Sequence, residues 1–319
     1  MTERFSALLT WCNGQLLQLR QRISRRTQRW IEVGINLFLL AVVALIIYQN
    51  SELLPTLGQS LALSSLLSCL GLYLLSLSIQ AAVWIDLMGY RPGERRAALA
   101  DYIQTTLMGR LPGGWWKWFG RVTVYRAAHL STRAILLVNL IELLLLMLAA
   151  GIVIALLSPI AWYWRLLAIV VQGLAAGGLL WRLRPIVPGL QRRLIGLRVV
   201  GWSGSYLLAW GCGALILYLL AQPFSRIPLD LSTVLRITCL SGVVNLLFQL
   251  LPVSLLFRDL TLLALLGSFM SSAQAVVVIF ALRLVSSVCE LISSWILVAA
   301  VRLFPAPPAA VAAPTDQAL

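Results

Sequence analysis

The sequence predicts an all-α polytopic membrane protein, with six transmembrane helices and two re-entrant helical hairpins arranged as an inverted repeat. Three observations carry that expectation. The chain is 60% hydrophobic and only 11% charged, with a mean hydropathy of +0.90. An ordinary soluble domain carries roughly 25% charged residues, so this chain cannot cover a water-facing surface. Six apolar runs are each near or above the roughly 20 residues that a spanning helix needs. Two further apolar stretches are interrupted by a Leu-Pro pair, at Leu111-Pro112 and Leu251-Pro252.

In chain order, residues 1–32 read as a basic amphipathic cytoplasmic segment. Phe5, Leu8, Leu9, Leu16, Leu19 and Ile23 recur at helical spacing, followed by Arg20, Arg22, Arg25, Arg26 and Arg29. That pattern suits a helix lying on an anionic membrane surface; the other reading is a solvated tail. No short apolar core with a small-residue cleavage site is present, so the segment does not read as a signal peptide. The apolar runs then cover about 33–49, 61–85, 134–157, 161–181, 199–221 and 273–303. The stretches 98–128 and 232–270 read as pairs of half-helices. Pro112, Gly113 and Gly114 break the first, and Pro252 breaks the second. Proline removes a helix donor and clashes with the preceding turn, and glycine permits a sharp reversal. Residues 304–319 are rich in Pro and Ala and read as a disordered tail.

The two breaks have matching surroundings. Ser131 lies 19 residues past Pro112, and Ser271 lies 19 past Pro252. Arg121 follows the first break and Arg258 the second; Glu142 lies 30 residues past its proline and Arg283 lies 31 past its own. Residues 33–157 therefore read as membrane repeat 1 and residues 158–303 as membrane repeat 2. Each copy holds two spans, a broken hairpin and a span. If the hairpins return to the side they enter from, each copy crosses an odd number of times, so the second is upside down relative to the first, an architecture of transporters.

The net charge is +14, and Lys117 is the only lysine among 25 basic residues. A basic face on a soluble module, which nucleic-acid binding needs, is missing. The arginines cluster instead in alternate connections: Arg91, Arg95 and Arg96; then Arg121, Arg126 and Arg133; then Arg182, Arg184, Arg192, Arg193 and Arg198. The opposite side carries Glu52, Arg165, Arg226 and Asp230. The positive-inside rule puts both termini in the cytoplasm.

Charge inside hydrocarbon is costly and usually meets a cavity or a partner. The candidates are Arg110, Lys117, Arg121, Glu142, Arg258, Asp259, Arg283 and Glu290. Two readings stand. In one, Arg121 and Arg258 hold an anionic head group bidentately, with Glu142, Asp259 and Glu290 balancing the charge. In the other, the same groups are ion pairs that lock the hairpins to neighbouring spans. Arg283 and Glu290, seven apart, share a helix face. Arg258 and Asp259 are adjacent, so their side chains are expected to diverge rather than pair. Trp115, Trp116 and Trp118 read as an interfacial belt, and Gly173 and Gly177 as close helix packing. The five cysteines form no CxxC pair and His129 is alone, so no metal or cofactor is expected. The motifs of ATP-driven pumps and membrane hydrolases are missing from the sequence.

These residues carry a resemblance. "LPGGWWKWFGR…LSTRAILLVNLIE" and "NLLFQLLPVSLLFRDL" resemble two signatures of the flippase-like transmembrane domain of bacterial lysylphosphatidylglycerol synthases, which also occurs as a stand-alone membrane domain. The family's second signature ends in Gly-x-Arg-Glu; Arg258-Asp259 stands there, with Val253, Ser254, Leu255 and Leu256 in place of glycines. The resemblance implies translocation or binding of an anionic lipid, either a phospholipid or a polyprenyl-phosphate-linked lipid. It implies no aminoacyl-transfer activity, because the soluble domain that carries it is not part of this chain. The alternatives are a membrane-embedded enzyme or accessory subunit of a lipid-linked glycosyltransferase system, or an assembly scaffold.

Overall fold

The computed structural model describes residues 52, 54–90, 92–108, 116–127, 131–183, 195–248 and 254–303. The segment 1–32, the expected first span 33–49, Arg110, the breaks Pro112, Gly113, Gly114 and Pro252, and the tail 304–319 lie outside the described residues. What is described is helical, with short connections and no strand. That is the structure a chain adopts where only its own backbone can satisfy N–H and C=O groups. The helices are α1 (Leu54–Ser60), α2 (Leu63–Leu87), α3 (Arg95–Met108), α4 (Trp116–Ala127), α5 (Thr132–Leu157), α6 (Trp162–Leu183), α7 (Ile195–Ala221), α8 (Leu231–Leu247), α9 (Ser254–Leu266) and α10 (Ser272–Leu303). Five of them, α2, α5, α6, α7 and α10, are long and apolar enough to cross a membrane. The protein is therefore an all-α integral membrane protein.

Local chemistry sets the helix ends. Ser131 is the N-cap of α5 and accepts from the Ala134 amide at 3.2 Å. Ser271 caps α10 reciprocally: its hydroxyl accepts from the Gln274 amide at 3.3 Å, and its own amide donates to Gln274 Oε1 at 2.8 Å. This is a capping box, so the two serines that match in the sequence start matching helices. α2 stops at Gly89, whose φ of 76° lies in the left-handed region. The Gly89 and Tyr90 amides donate to Asp86 O (3.1 Å) and Ile85 O (3.3 Å), the closing pattern that favours glycine. At the C-terminal end of α5, Arg165 donates to the carbonyls of Ile160 (2.7 Å) and Leu156 (3.2 Å).

Both interrupted stretches form antiparallel helix pairs. In the first, Tyr125 donates to Ala98 O at 3.5 Å, while Arg121 and Lys117 lie over the Tyr102 ring. Successive contacts thus pair rising with falling residue numbers. In the second, Phe248 stacks on Phe257 near the closed end (4.4 Å), and the Arg226 amide donates to Phe269 O (3.1 Å) beyond the open end. The arms have 14 and 12 residues in one pair, 17 and 13 in the other. At 1.5 Å per residue they run about 18–26 Å, short of the roughly 30 Å hydrocarbon core.

α2 and α7 form the central seam and run antiparallel. Asp86 at the end of α2 meets Arg198 and Trp202 at the start of α7. Cys69 near the start of α2 packs with Ile216 and Leu220 near the end of α7. Around this seam, α2 packs on α3, α5 and α10, and α7 packs on α8, α10 and α5. α3 packs on α4 and α10, α8 on α9 and α5, α4 on α5, and α9 on α10. Exchanging α2 with α7, α3 with α8, α4 with α9 and α5 with α10 maps each pair packed around the seam onto another and the seam onto itself; the α5–α6 pair has no counterpart among the described residues. The seams also carry matching polar tethers: Tyr73 on α2 donates to Glu290 on α10 at 2.9 Å, and Trp210 on α7 donates to Leu146 O on α5 at 3.1 Å.

Trp210 reaches α5 because α8 leaves room for it. A Cβ added at Gly242 would come 2.1 Å from the Trp210 ring, and an indole is too rigid to yield by bending. Gly242→Ala is expected to lower stability in detergent by about 1–3 kcal/mol, the range for overpacking. A thermal-melting series should also show Gly242→Ala combined with Trp210→Phe recovering most of the loss.

Candidate functional site

The most enclosed charge among the described residues is Arg121, which is 1% exposed. α4 presents Lys117, Arg121 and Tyr125 at successive i, i+4 positions, which is one helix face. α5 offers Asn139 and Glu142, three apart, to the same place; α3 contributes Tyr102 and α2 contributes Trp84. The guanidinium carbon lies 3.7 Å from the centre of the Trp84 ring and 4.9 Å from that of Tyr102, a stack that suits a planar delocalised cation. Arg121 Nη1 donates to Asn139 Oδ1 at 2.7 Å and to Glu142 Oε2, and Nη2 donates to Glu142 Oε1 at 3.2 Å. Tyr102 donates to the same Glu142 oxygen at 3.3 Å. Asn139 keeps its orientation by donating to Ile135 O at 3.0 Å. Both terminal nitrogens of Arg121 are therefore engaged inside the protein. Lys117 sits at the edge of this cluster, 5.9 Å from the Tyr102 ring centre.

The second hairpin carries a looser counterpart. Arg258 donates to Asp259 Oδ1 through Nε at 3.1 Å and Nη2 at 3.0 Å. This corrects the expectation that adjacent side chains do not pair. Neighbouring helical residues do diverge, but the arginine stem is long enough to fold its fork back onto the next carboxylate. The other Asp259 oxygen pairs with Arg283 Nε of α10, so one carboxylate ties α9 to α10. The side chains of Arg258, Asp259 and Arg283 are 23%, 14% and 29% exposed, against 1% for Arg121. Glu290, on the same helix as Arg283, goes elsewhere, to Tyr73 of α2.

Arg121 and Arg258 thus each belong to a cluster of their own hairpin. No arm of one hairpin packs substantially on an arm of the other among the described residues. The clusters have the same formal make-up: Lys117 and Arg121 with Glu142, and Arg258 and Arg283 with Asp259. Each is two cations and one carboxylate. Among the described residues no three His, Cys, Asp or Glu side chains converge as metal ligands would.

Sequence reasoning missed Asp86. Arg198 Nη1 donates to both its oxygens at 3.1 Å and Trp202 Nε1 donates at 3.1 Å. It also missed Tyr102, Tyr125 and Trp84, whose rings wall the Arg121 site; aromatic residues in apolar segments give no signal of their own. Asn139 was findable, as an amide three residues before Glu142 in an otherwise apolar span. Just beyond α2, Tyr90 packs on Tyr125 at 6.4 Å. Burial, with the Asp101 and Glu94 carboxylates nearby, pushes its phenol up to about 12, so it stays neutral. No protein-family model and no curated protein matches this chain.

Breaking the enclosed pair from one side strands a charge. Arg121→Ala or Glu142→Ala is expected to lower stability by about 3–5 kcal/mol, whereas Arg121→Met with Glu142→Leu should recover most of that loss. Thermal melting of the four proteins in one detergent gives the comparison.

Proposed function

We propose that the chain binds an anionic lipid head group and passes it across the membrane, using two inverted repeats whose hairpins are re-entrant. The observation that carries this reading is the pair of hairpin clusters, each with one positive formal charge in excess, set among helices α2–α5 and α7–α10 whose packed pairs interchange when the two sets are exchanged. Described arms of 12–17 residues, below the roughly 20 of a typical spanning helix, support the re-entrant assignment, and the antiparallel α2–α7 seam supports the inversion. The expected span at 33–49 completes the first repeat and makes six.

The physical task is to lower the barrier for a charged group in hydrocarbon. Transporters of inverted-repeat architecture do so at broken helices near mid-depth, and access alternates between repeats. Here the two clusters differ in the way such an exchange requires: the Arg121 cluster is closed and the Arg258 cluster is partly open. In the open cluster a lipid phosphate would compete with Asp259 for Arg258 and Arg283, since an arginine fork binds phosphate and carboxylate with the same geometry. The substrate class is an aminoacylated phospholipid or a polyprenyl-phosphate-linked lipid, in a bacterial or archaeal cytoplasmic membrane with both termini cytoplasmic. One observation favours a second reading, an assembly scaffold: the complete enclosure of Arg121.

Proteoliposomes with a fluorescent phosphatidylglycerol test the proposal. Transfer from the inner leaflet, read by an impermeant quencher, should exceed that in protein-free vesicles and exceed transfer of the phosphatidylcholine analogue. Arg258→Lys should weaken it by about one to two powers of ten, the cost of losing charge-assisted contacts to an anion, with thermal stability retained. Transfer equal for both lipids and untouched in Arg258→Lys supports the scaffold. Head-group modification by the purified protein supports a membrane-embedded enzyme.

A further inference from the structure

A separate cavity of about 330 Å³ opens between the C-terminal half of α2 and the first turn of α3. Its α2 wall is made by Ser78, Ala82, Ile85 and Asp86, and α3 supplies Arg95, Arg96 and Leu99. The positions 78, 82, 85 and 86 recur at helical spacing, so they form one stripe along α2. Ser78 is nine residues from the end of that helix, about 13 Å at 1.5 Å per residue. The cavity is thus a furrow that starts at the end of a spanning helix and descends along it.

The chemistry changes along the furrow. Arg95 and Arg96, both exposed, stand at the mouth. Asp86 is also at the mouth, but its carboxylate already takes Arg198 and the Trp202 indole. Ala82 and Leu99 make the lower wall apolar, and the Ser78 hydroxyl donates to Leu74 O at 2.8 Å, so it offers no donor to a ligand. The mouth carries two arginines, and the floor has the character of hydrocarbon.

We propose that this furrow binds the phosphate of an anionic glycerophospholipid, with Arg95 and Arg96 on the phosphate and the first part of an acyl chain along Ala82 and Leu99. A volume of about 330 Å³ lies in the range of small-ligand sites and suits a glycerol phosphate with the chain extending out into the bilayer. Basic pockets between membrane helices, at head-group depth on the arginine-rich side, are where anionic lipids bind. A free phosphate would gain nothing from the apolar wall, and this argues for a lipid. The proposal does not depend on transport: the site holds whether or not the hairpin clusters move a lipid.

Binding measured on the purified full chain in a neutral detergent separates it from the transport reading. The probe is a fluorescent phosphatidylglycerol, with the phosphatidylcholine analogue as control. Arg95→Gln with Arg96→Gln should weaken phosphatidylglycerol binding by about tenfold or more, the loss expected for charge-assisted contacts, and leave phosphatidylcholine binding unchanged. Ala82→Trp keeps both arginines but fills the furrow, and it should weaken binding as much. Soluble glycerol phosphate should not compete. Wild-type binding in the double variant or in Ala82→Trp overturns the proposal, and so does full competition by glycerol phosphate, which would make this a soluble-anion site. Because the hairpin arginines are untouched, a failure here leaves the lipid-transfer result standing, and the reverse also holds.

Discussion

A guanidinium that is 1% exposed inside a bundle of membrane helices survives only where a carboxylate meets it, and Glu142 meets Arg121. Much of the packing among α2, α3, α4 and α5 is arranged around that neutralisation. The carboxylate needs its own donors, so Tyr102 of α3 and both Arg121 nitrogens converge on it. The faces of the cation need polarisable surface, so Trp84 and Tyr102 flank it. Four helices, α2 to α5, are thereby fixed to one another through a single charge. Breaking a buried pair costs more than the pair contributes, which makes the contact a device for register as much as for stability.

The α9–α10 pair meets the same constraint more loosely. Asp259 holds two arginines, one from its own helix and one from α10, with all three side chains still partly exposed. The difference follows from the neighbours. Around Arg121 the site is walled by Trp84, Tyr102 and Tyr125, all fully buried; around Arg258 no ring of that kind stacks on the guanidinium among the described residues. The pairing of one closed with one open cluster is the asymmetry that gives the lipid-transfer proposal its physical content.

Much of the fold was legible because length and apolarity alone decide whether a segment crosses a membrane. The runs expected at 61–85, 134–157, 161–181, 199–221 and 273–303 fall within a few residues of α2, α5, α6, α7 and α10. Ser131 and Ser271, matched by their distance from the two prolines, proved to be matching caps, since a hydroxyl at a helix start has few other uses. The interrupted stretches proved to be antiparallel pairs, although Pro112 and Pro252 themselves lie outside the described residues. What stayed hidden was tertiary. Asp86 and Arg198 are 112 residues apart, and nothing local marks one as the other's partner. Arg198 reads as a loop charge until the antiparallel seam brings α7 alongside α2. The Arg258–Asp259 contact was hidden for the opposite reason: adjacency suggested divergence, and the reach of the arginine stem overrode it.

If the two halves are inverted repeats, as the lipid-transfer proposal requires, equivalent connections face opposite sides of the membrane. Gly93 follows α2 with open space around its Cβ position, and Ile227 follows α7 and is 57% exposed. With the native cysteines replaced, Gly93→Cys and Ile227→Cys can be challenged in intact cells with a membrane-impermeant thiol reagent. Inverted repeats with cytoplasmic termini predict that Cys at 227 reacts and Cys at 93 is shielded until the cells are opened. Equal labelling of the two positions before the cells are opened would place both connections on one side and contradict the inversion.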